Sequence, residues 1–393
     1  MQRSRNFAGI FALVLLCASS PLLAQAHSGH DRVPARARDL GIPFDGSPGP
    51  FNAITDVQGV EVGHTTLISG SGPLKVGVGP VRTGVTAILP RGKESNDAVF
   101  AGWFTENGDG EMTGTIWLED SGFLDGPVML TNTHSVGVVR DAVIAWKVKH
   151  GVPDKEGYWW STAVVAETWD GDLNDINGFH VHREDAFHAI DVARSGVVEE
   201  GSVGGGTGMI CNEFKGGIGT SSRTLAVKAV GYTVGVLVQC NYGTREELRI
   251  AGVNVGREIP EHQVHSGDVG SIIVIVATDA PLIPTQLKRV ARHVALGLAR
   301  NGSYGGNGSG DIFLAFSTAN PDAISPRGLR QVTMIPNDLL DPIFLATVQA
   351  TEEAVVNAMV AAKTMTGIND RTVIGLPHDR LRDVLRKYNR LAK

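Results

Sequence analysis

The chain has 393 residues, of which 42% are hydrophobic and 19% charged, and a net charge of −6. A mildly acidic chain with no basic block lacks the electrostatic footprint of a nucleic-acid binder, and three cysteines are too few for a disulfide framework. The length is ample for a large core, built as one large domain or two smaller ones.

The first 26 residues carry Arg3 and Arg5, then an apolar stretch from Phe7 to Cys17, then small residues ending in Ala24-Gln25-Ala26. That order is a secretory signal with an A-x-A cleavage site, and its apolar part is too short for a permanent membrane helix. The expectation is export, to the periplasm in a Gram-negative cell, of a mature chain starting at His27 with no later membrane span. Cys17 leaves with the signal. Cys211 and Cys240 remain, in apolar or glycine-rich surroundings that suit one bridge or two buried thiols equally.

Residues 27–50, rich in His, Ser, Gly, Pro and Arg, read as a flexible leader. Apolar runs at 84–90, 127–133 and 163–167, each bounded by turn residues, read as strands. Residues 135–150 place Val138, Val139, Val143, Ile144 and Val148 at helical spacing before Gly151, and a short helix follows over 184–193. A strand pair broken near Gly231 is expected over 225–239. Ser271 then opens a continuous Ile/Val strand, followed by a helix from Pro284 to about Arg300 and a strand over 312–317. A long Ala-rich helix over about 342–365 and a basic helix near 380–393 complete the chain. Helices grouped between runs of strands, with no internal repeat, suggest stacked sheets sandwiched by helices.

Three groups of residues bear on chemistry. Gly204-Gly205-Gly206-Thr207-Gly208 lacks the Lys-Ser/Thr ending of a phosphate loop and the preceding strand of a dinucleotide fingerprint, so it suits tight backbone packing or close approach to a substrate. His180 and His182, with His188 nearby, have the spacing of metal ligands but no His-Glu-x-x-His pattern, and surface histidines are the stronger reading. No G-x-S-x-G elbow occurs, and His134, His265 and His293 have no serine partner visible in the sequence.

The Gly270-Ser271 junction is the most suggestive. A glycine tolerates backbone conformations that expose its carbonyl to the next side chain. Attack by the Ser271 hydroxyl would convert the amide to an ester, and water would release an N-terminal Ser271. Its α-amine, with an unperturbed pKa of about 7.7–8.0, could then serve as base for its own hydroxyl. An ordinary turn into a core strand is the competing reading. Ser309 and Asp311, two apart at another strand mouth, share a direction. They suit a relay in which the carboxylate holds Ser309 and Ser309 holds Ser271, or simply a Gly-rich turn.

The segments GSVGGGTGMICNEFKGGIGTSSR (201–223), GSIIVIVATDAPL (270–282) and NGSGDIFLAFST (307–318) together resemble the P1 family of self-processing aminopeptidases. That family includes the L-aminopeptidase/D-Ala-esterase/amidase and the β-peptidyl aminopeptidases. The resemblance extends from about Arg38, through the opening DLGIPFDGSPGPFNAITDVQGVEVGH, to the closing LPHDRL. It implies an α+β fold, a four-layer αββα sandwich of the N-terminal-nucleophile-like, DOM type, and cleavage after Gly270 into an α chain (27–270) and a β chain (271–393) of one catalytic domain. Ser271 matches the nucleophile, Ser309 and Asp311 its supports, and Asn241 the oxyanion-stabilising amide, a role that suits a pre-aimed N–H donor. Glu167 matches the carboxylate that receives the substrate's free amine by charge-assisted hydrogen bonding. Trp169 stands where some members have a tyrosine. It keeps an N–H but has no hydroxyl, and either lines the substrate pocket or packs in the core.

The resemblance implies short peptide, amino-acid amide or ester substrates, no metal or organic cofactor, and a homo-oligomer of αβ pairs, while the acidic charge and the lack of a later apolar span argue for no nucleic-acid or membrane partner. The rivals are an acetyltransferase of the related ornithine acetyltransferase fold, a metallohydrolase using His180 and His182, and an exported binding protein.

Overall fold

A computed structural model describes residues 35–151, 160–226, 231–264, 269–325 and 327–392. The signal expectation over 1–26, residues 27–34 of the leader, and His265 lie outside the described residues.

The first half of the chain supplies β1 (Glu61–Ser69), β2 (Val81–Leu89), β3 (Val99–Gly108), β4 (Phe123–Leu124), β5 (Val128–Asn132) and β6 (Val164–Thr168). It also supplies helices α1 (Thr115–Ser121), α2 (Val136–His150) and α3 (Arg183–Asp191). The second half supplies the hairpin β7 (Ile210–Cys211) and β8 (Phe214–Lys215), then β9 (Gly217–Thr224) and β10 (Thr233–Asn241). A small hairpin, β11 (Arg249–Ile250) and β12 (Val253–Asn254), leads into α4 (Val255–Glu258). The chain continues through β13 (Val269–Thr278), α5 (Pro284–Arg300), β14 (Gly308–Ser317), α6 (Asp341–Ala361) and α7 (His378–Lys387).

Two sheets face each other. One has the order β1-β2-β5-β6, the other β4-β3-β14-β13-β10-β9. Ile88, Leu130 and Ala166 of the first sheet pack against Leu237, Ile273, Ile275 and Leu314 of the second. The outer face of the four-stranded sheet is covered by α2 and α3 through Val139, Val143, Ala186 and Ile190. The outer face of the six-stranded sheet is covered by α5 and α6 through Val290, Val294, Ala354 and Val355. The layers are therefore α, β, β, α, as the resemblance implied. Strands buried on both faces need no polar alternation, which is why Ile272 to Ala277 are all fully buried. α5 is the crossover that returns the chain so that β13 and β14 run parallel, the one parallel pair in that sheet.

Several expectations shift. The strand pair placed over 225–239 is β9 with β10: the polar Gly217–Thr224 run is a buried strand because Thr220, Ser221 and Ser222 each find buried hydrogen-bond partners. The Ala-rich helix stops at Ala361, and Met365 belongs to a short strand. This helix is long and apolar enough to cross a bilayer, contrary to the expectation that no later segment would be, but 83% of its apolar window is buried inside the protein. Gly219 lets it lie close to β9, since a Cβ there would stand 2.0 Å from the Ala354 carbonyl oxygen.

The leader is also more ordered than its composition suggests from residue 35 onward. Ala37 is fully buried, and Arg36 pairs with Glu200 at 2.6 Å. Arg38 grips both oxygens of Glu353, at 2.7 and 2.8 Å. Glu353 is a fully buried carboxylate on α6 that also pairs with Arg223 and accepts from Asn52 Nδ2. Burial alone would raise its pKa, but the Arg38 hydrogen bond and the Arg223 and Arg38 charges hold it below the usual carboxylate range. Its stabilising contribution is thus complete at neutral pH and lost as pH falls through that depressed value. Glu353→Gln leaves two guanidinium groups without their counter-charge, so urea denaturation at pH 7 should show a loss of about 3–5 kcal/mol, and the variant should lack this component of the wild type's acid sensitivity.

Candidate active site

Ser271 is the third residue of β13, because pairing to the neighbours begins at Val269 rather than at the serine. It lies between two strands: Asn241, the last residue of β10, is its antiparallel partner, and Gly310 of β14 its parallel one. Gly270 has φ +151°, and a Cβ there would stand 2.0 Å from the Asn241 carbonyl oxygen. Both facts require glycine. The Ser271 hydroxyl donates to the Gly270 carbonyl at 2.7 Å and accepts from the Gly310 N–H at 3.3 Å. The side chain is 4% exposed and borders a cleft of ≈ 420 Å³.

β14 begins at Gly308, so Ser309 and Asp311 lie within the strand rather than at its mouth. Ser309 Oγ donates to Asp311 Oδ1 at 2.6 Å, and both side chains are buried. In the parallel register Ser309 faces Gly270 and Asp311 faces Ile272. Side chains alternate along a strand, which puts the pair on the face opposite the Ser271 hydroxyl. The first half of the expected relay is present. The second half is not among the described hydrogen bonds, in which Ser271 Oγ meets backbone groups only.

Asn241 is held at both ends of its amide. Oδ1 accepts from the Ile210 N–H at 2.7 Å, and Nδ2 donates to the Trp169 carbonyl at 2.9 Å. These bonds fix which atom is which and leave the second N–H of Nδ2 for a group in the cleft that Asn241 lines.

Glu167 is 2% exposed, on β6 beside Thr131 of β5. Oε1 accepts from the Glu111 N–H at 2.9 Å, and Oε2 accepts from the Thr133 hydroxyl. Burial raises its pKa; the Thr133 hydroxyl and Glu111 N–H oppose the rise, and the nearby Glu111 and Asp109 charges add to it. Among the described residues the cleft is lined by five carboxylates, Asp109, Glu111, Glu167, Asp172 and Glu213, and by no Lys or Arg. Asp172 is paired with Arg371, while the Glu213 oxygens accept from the Arg245 and Val264 N–H groups at 3.0 Å. What remains is a site that attracts a cation.

Trp169 lines the cleft and is 44% exposed, its indole lying over Gly171, where a Cβ would stand 2.5 Å from the ring. It is a pocket wall and not a core residue. The histidines considered as metal ligands are apart in role: His180 Nε2 pairs with Asp175 Oδ2 at 2.9 Å, and His182 is exposed ahead of α3. Among the described residues no three His, Cys, Asp or Glu side chains converge as a metal set. Gly204, Gly205 and Gly206 are buried in backbone packing between the sheets. Cys211 and Cys240 form a disulfide.

Thr133, Ile210, Asp109 and Glu111 were not singled out by sequence. The polar run Thr131-Asn132-Thr133 closing an apolar strand was a usable signal for Thr133. Ile210 acts through its backbone and Asp109 and Glu111 come from a loop, so nothing in their side-chain types marks them.

The family model for peptidase family S58 matches residues 52–373. A β-peptidyl aminopeptidase BapA of Sphingosinicella microcystinivorans is 58% identical over 91% of this chain and 93% of its own length. A second, of Sphingosinicella xenopeptidilytica, is 50% identical over 89% and 91%. Among solved structures, the L-aminopeptidase D-Ala-esterase/amidase of Ochrobactrum anthropi, described as a prototype serine aminopeptidase and a variant of the Ntn hydrolase fold, superposes with a TM-score of 0.85. It is 48% identical, covering 91% of this chain and 99% of that one. The β-aminopeptidase of a Burkholderia species follows at TM-score 0.83 and 47% identity, covering 90% and 99%. The chain therefore belongs to peptidase family S58, as a hydrolase of the serine aminopeptidase type with an Ntn-like fold.

Proposed function

We propose that this protein is an exported, self-processing aminopeptidase and amidase that cuts itself between Gly270 and Ser271 and then uses N-terminal Ser271 to remove single residues from short peptides, amides and esters. The observation that carries this is the Ser271 hydroxyl, hydrogen-bonded at 2.7 Å to the carbonyl of a glycine whose backbone tolerates no side chain, at the edge of an acid-lined cleft.

In the processing step Ser271 Oγ bonds to the Gly270 carbonyl carbon, the C–N bond breaks, and the hydroxyl proton passes to the departing nitrogen. Water then splits the ester, giving Gly270 a carboxylate and returning the hydroxyl. The released amine takes the place of the peptide nitrogen beside Ser309 and Asp311. This gives that pair a role its geometry suits: it holds the amine, which in turn serves the hydroxyl as base. Substrate binds with its ammonium on Glu167. Ser271 attacks the first carbonyl, the second N–H of Asn241 Nδ2 and backbone N–H groups carry the oxyanion, and water releases the acyl group. The names of the two Sphingosinicella relatives support β-amino acids among the accepted N-terminal residues, beside L-α residues and D-Ala. The products of processing are an α chain over 27–270 and a β chain over 271–393, in a homo-oligomer of αβ pairs delivered to the periplasm by the segment 1–26.

Intact mass spectrometry of periplasmic wild type should show two pieces, beginning at His27 and Ser271, and Ser271→Ala should stay as one inactive chain; a Ser271→Ala preparation that is still cut and still hydrolyses aminoacyl amides defeats the assignment.

Glu167→Gln keeps the shape and removes the charge. A hydrogen bond to a charged group contributes about 1.5–3 kcal/mol, so KM for an aminoacyl amide with an uncharged side chain should rise roughly 10- to 150-fold with a smaller change in kcat. Protonating Glu167 does the same in the wild type. The acid limb of kcat/KM should therefore lie above the ordinary carboxylate range, because burial raises this group, and should vanish in Glu167→Gln. An unchanged limb in the variant removes Glu167 from the amine site.

A further inference from the structure

The cleft chemistry makes no use of Lys215, yet this lysine is fully buried on β8. Its ammonium donates to the Met209 carbonyl at 2.6 Å and to the Gly216 carbonyl at 2.9 Å, the residues flanking the β7–β8 hairpin. The hairpin is fastened to the end of β10 at three successive positions. Ile210 N–H donates to Asn241 Oδ1 at 2.7 Å, Cys211 is bonded to Cys240, and Asn212 N–H donates to the Tyr242 carbonyl at 2.7 Å. Lys215 closes the other end of the same loop.

Burying an ammonium costs several kcal/mol before its partners are counted, and a methionine would fill similar space without that cost. Burial drives Lys215 down to about 7, opposed by the charge of Asp170. Asp170 follows Trp169, whose carbonyl holds Asn241 Nδ2, and is itself fastened by Asn174 at 3.0 Å. The lysine thus lies between the two segments that grip the ends of the Asn241 amide.

We propose that Lys215 is a positioning residue: by clasping the Met209 and Gly216 carbonyls it holds the Ile210 N–H against Asn241 Oδ1, and so aims the Asn241 amide at the carbonyl that Ser271 attacks. The proposal rests on the oxyanion role given to Asn241 above, and its test separates the two. A double-mutant cycle of Lys215→Met, Asn241→Ala and the pair is made in the full chain, with the rate of self-cleavage and the kcat and KM for an aminoacyl p-nitroanilide as readouts. Lys215→Met should lower kcat roughly 10- to 100-fold at nearly constant KM, and Asn241→Ala roughly 10²- to 10³-fold. The double variant should be within about twofold of Asn241→Ala, because the lysine acts only through the amide.

Losses that multiply in the double variant, or a Lys215→Met enzyme within twofold of wild type, overturn the positioning role. An Asn241→Ala enzyme with full kcat instead overturns the oxyanion assignment beneath it. If Lys215→Met does not fold, Lys215→Gln, which keeps an N–H donor, carries the same cycle. If neither folds, hydrogen exchange of wild type beside Asn241→Ala decides: exchange over 209–216 should quicken when the amide is removed, and unchanged exchange overturns the coupling.

Discussion

Everything at the site depends on the register in which β13 is held between β10 and β14. Asn241, Ser271 and Gly310 are laterally adjacent, so one strand contributes the amide, the next the hydroxyl, and the third a backbone N–H to that hydroxyl. A slip of one residue would turn Ser271 to the helix-covered face and push Ile272 toward the cleft. Both faces of β13 are apolar, so burial alone does not choose between registers; Gly270 does, because a slip would bring a residue with a Cβ to the place where one would stand 2.0 Å from the Asn241 carbonyl oxygen. The glycine that lets the strands close is therefore also what sets the alignment of the candidate site.

The same alternation sets Ser309 and Asp311 on the face opposite the Ser271 hydroxyl. A parallel neighbour offers its side chains on the face shared with its register partner, and theirs are Gly270 and Ile272. Their place along the Gly270–Ser271 end of β13, instead of beside the hydroxyl, suits the amine-holding role proposed for them. The Ser309–Asp311 bond at 2.6 Å is already made in the uncut chain, so that role would need no rearrangement of the pair.

Much of this was legible in the sequence because it lies in local patterns. The unbroken Ile/Val run after Ser271 reads as a buried strand by its length and β-branched content, α2 was marked by its helical spacing and the stop at Gly151, α5 by its opening Pro284, and the long glycine-bearing motifs carried the family resemblance. Other features depended on distant partners. The polar Thr220-Ser221-Ser222 run became a core strand because Asn52, Val236 and Ala350 satisfy it. The described part of the leader, from residue 35, is ordered because Arg38 meets Glu353, some three hundred residues away. The choice between a bridge and two thiols was open for the same reason, since only the fold brings Cys211 alongside Cys240. Ile210 was illegible on any reading, because what it supplies is a main-chain N–H.

Glycine sets the reach between the two halves of the site. Gly110 and Gly310 cross where the loop after β3 passes over β14: a Cβ on Gly310 would stand 2.5 Å from the Asp109 carbonyl oxygen, and one on Gly110 would stand 3.2 Å from Gly310 Cα and 3.3 Å from Glu167 Oε1. The loop that donates an N–H to Glu167 is thus pressed against the strand that donates an N–H to Ser271. The separation between carboxylate and hydroxyl is fixed by backbone resting on backbone, with no side chain between them to yield. In the proposed function that separation is the span from a substrate amine on Glu167 to the carbonyl that Ser271 attacks, where one methylene amounts to about 1–3 kcal/mol. Two glycines in contact hold it more firmly than packed side chains that can change rotamer.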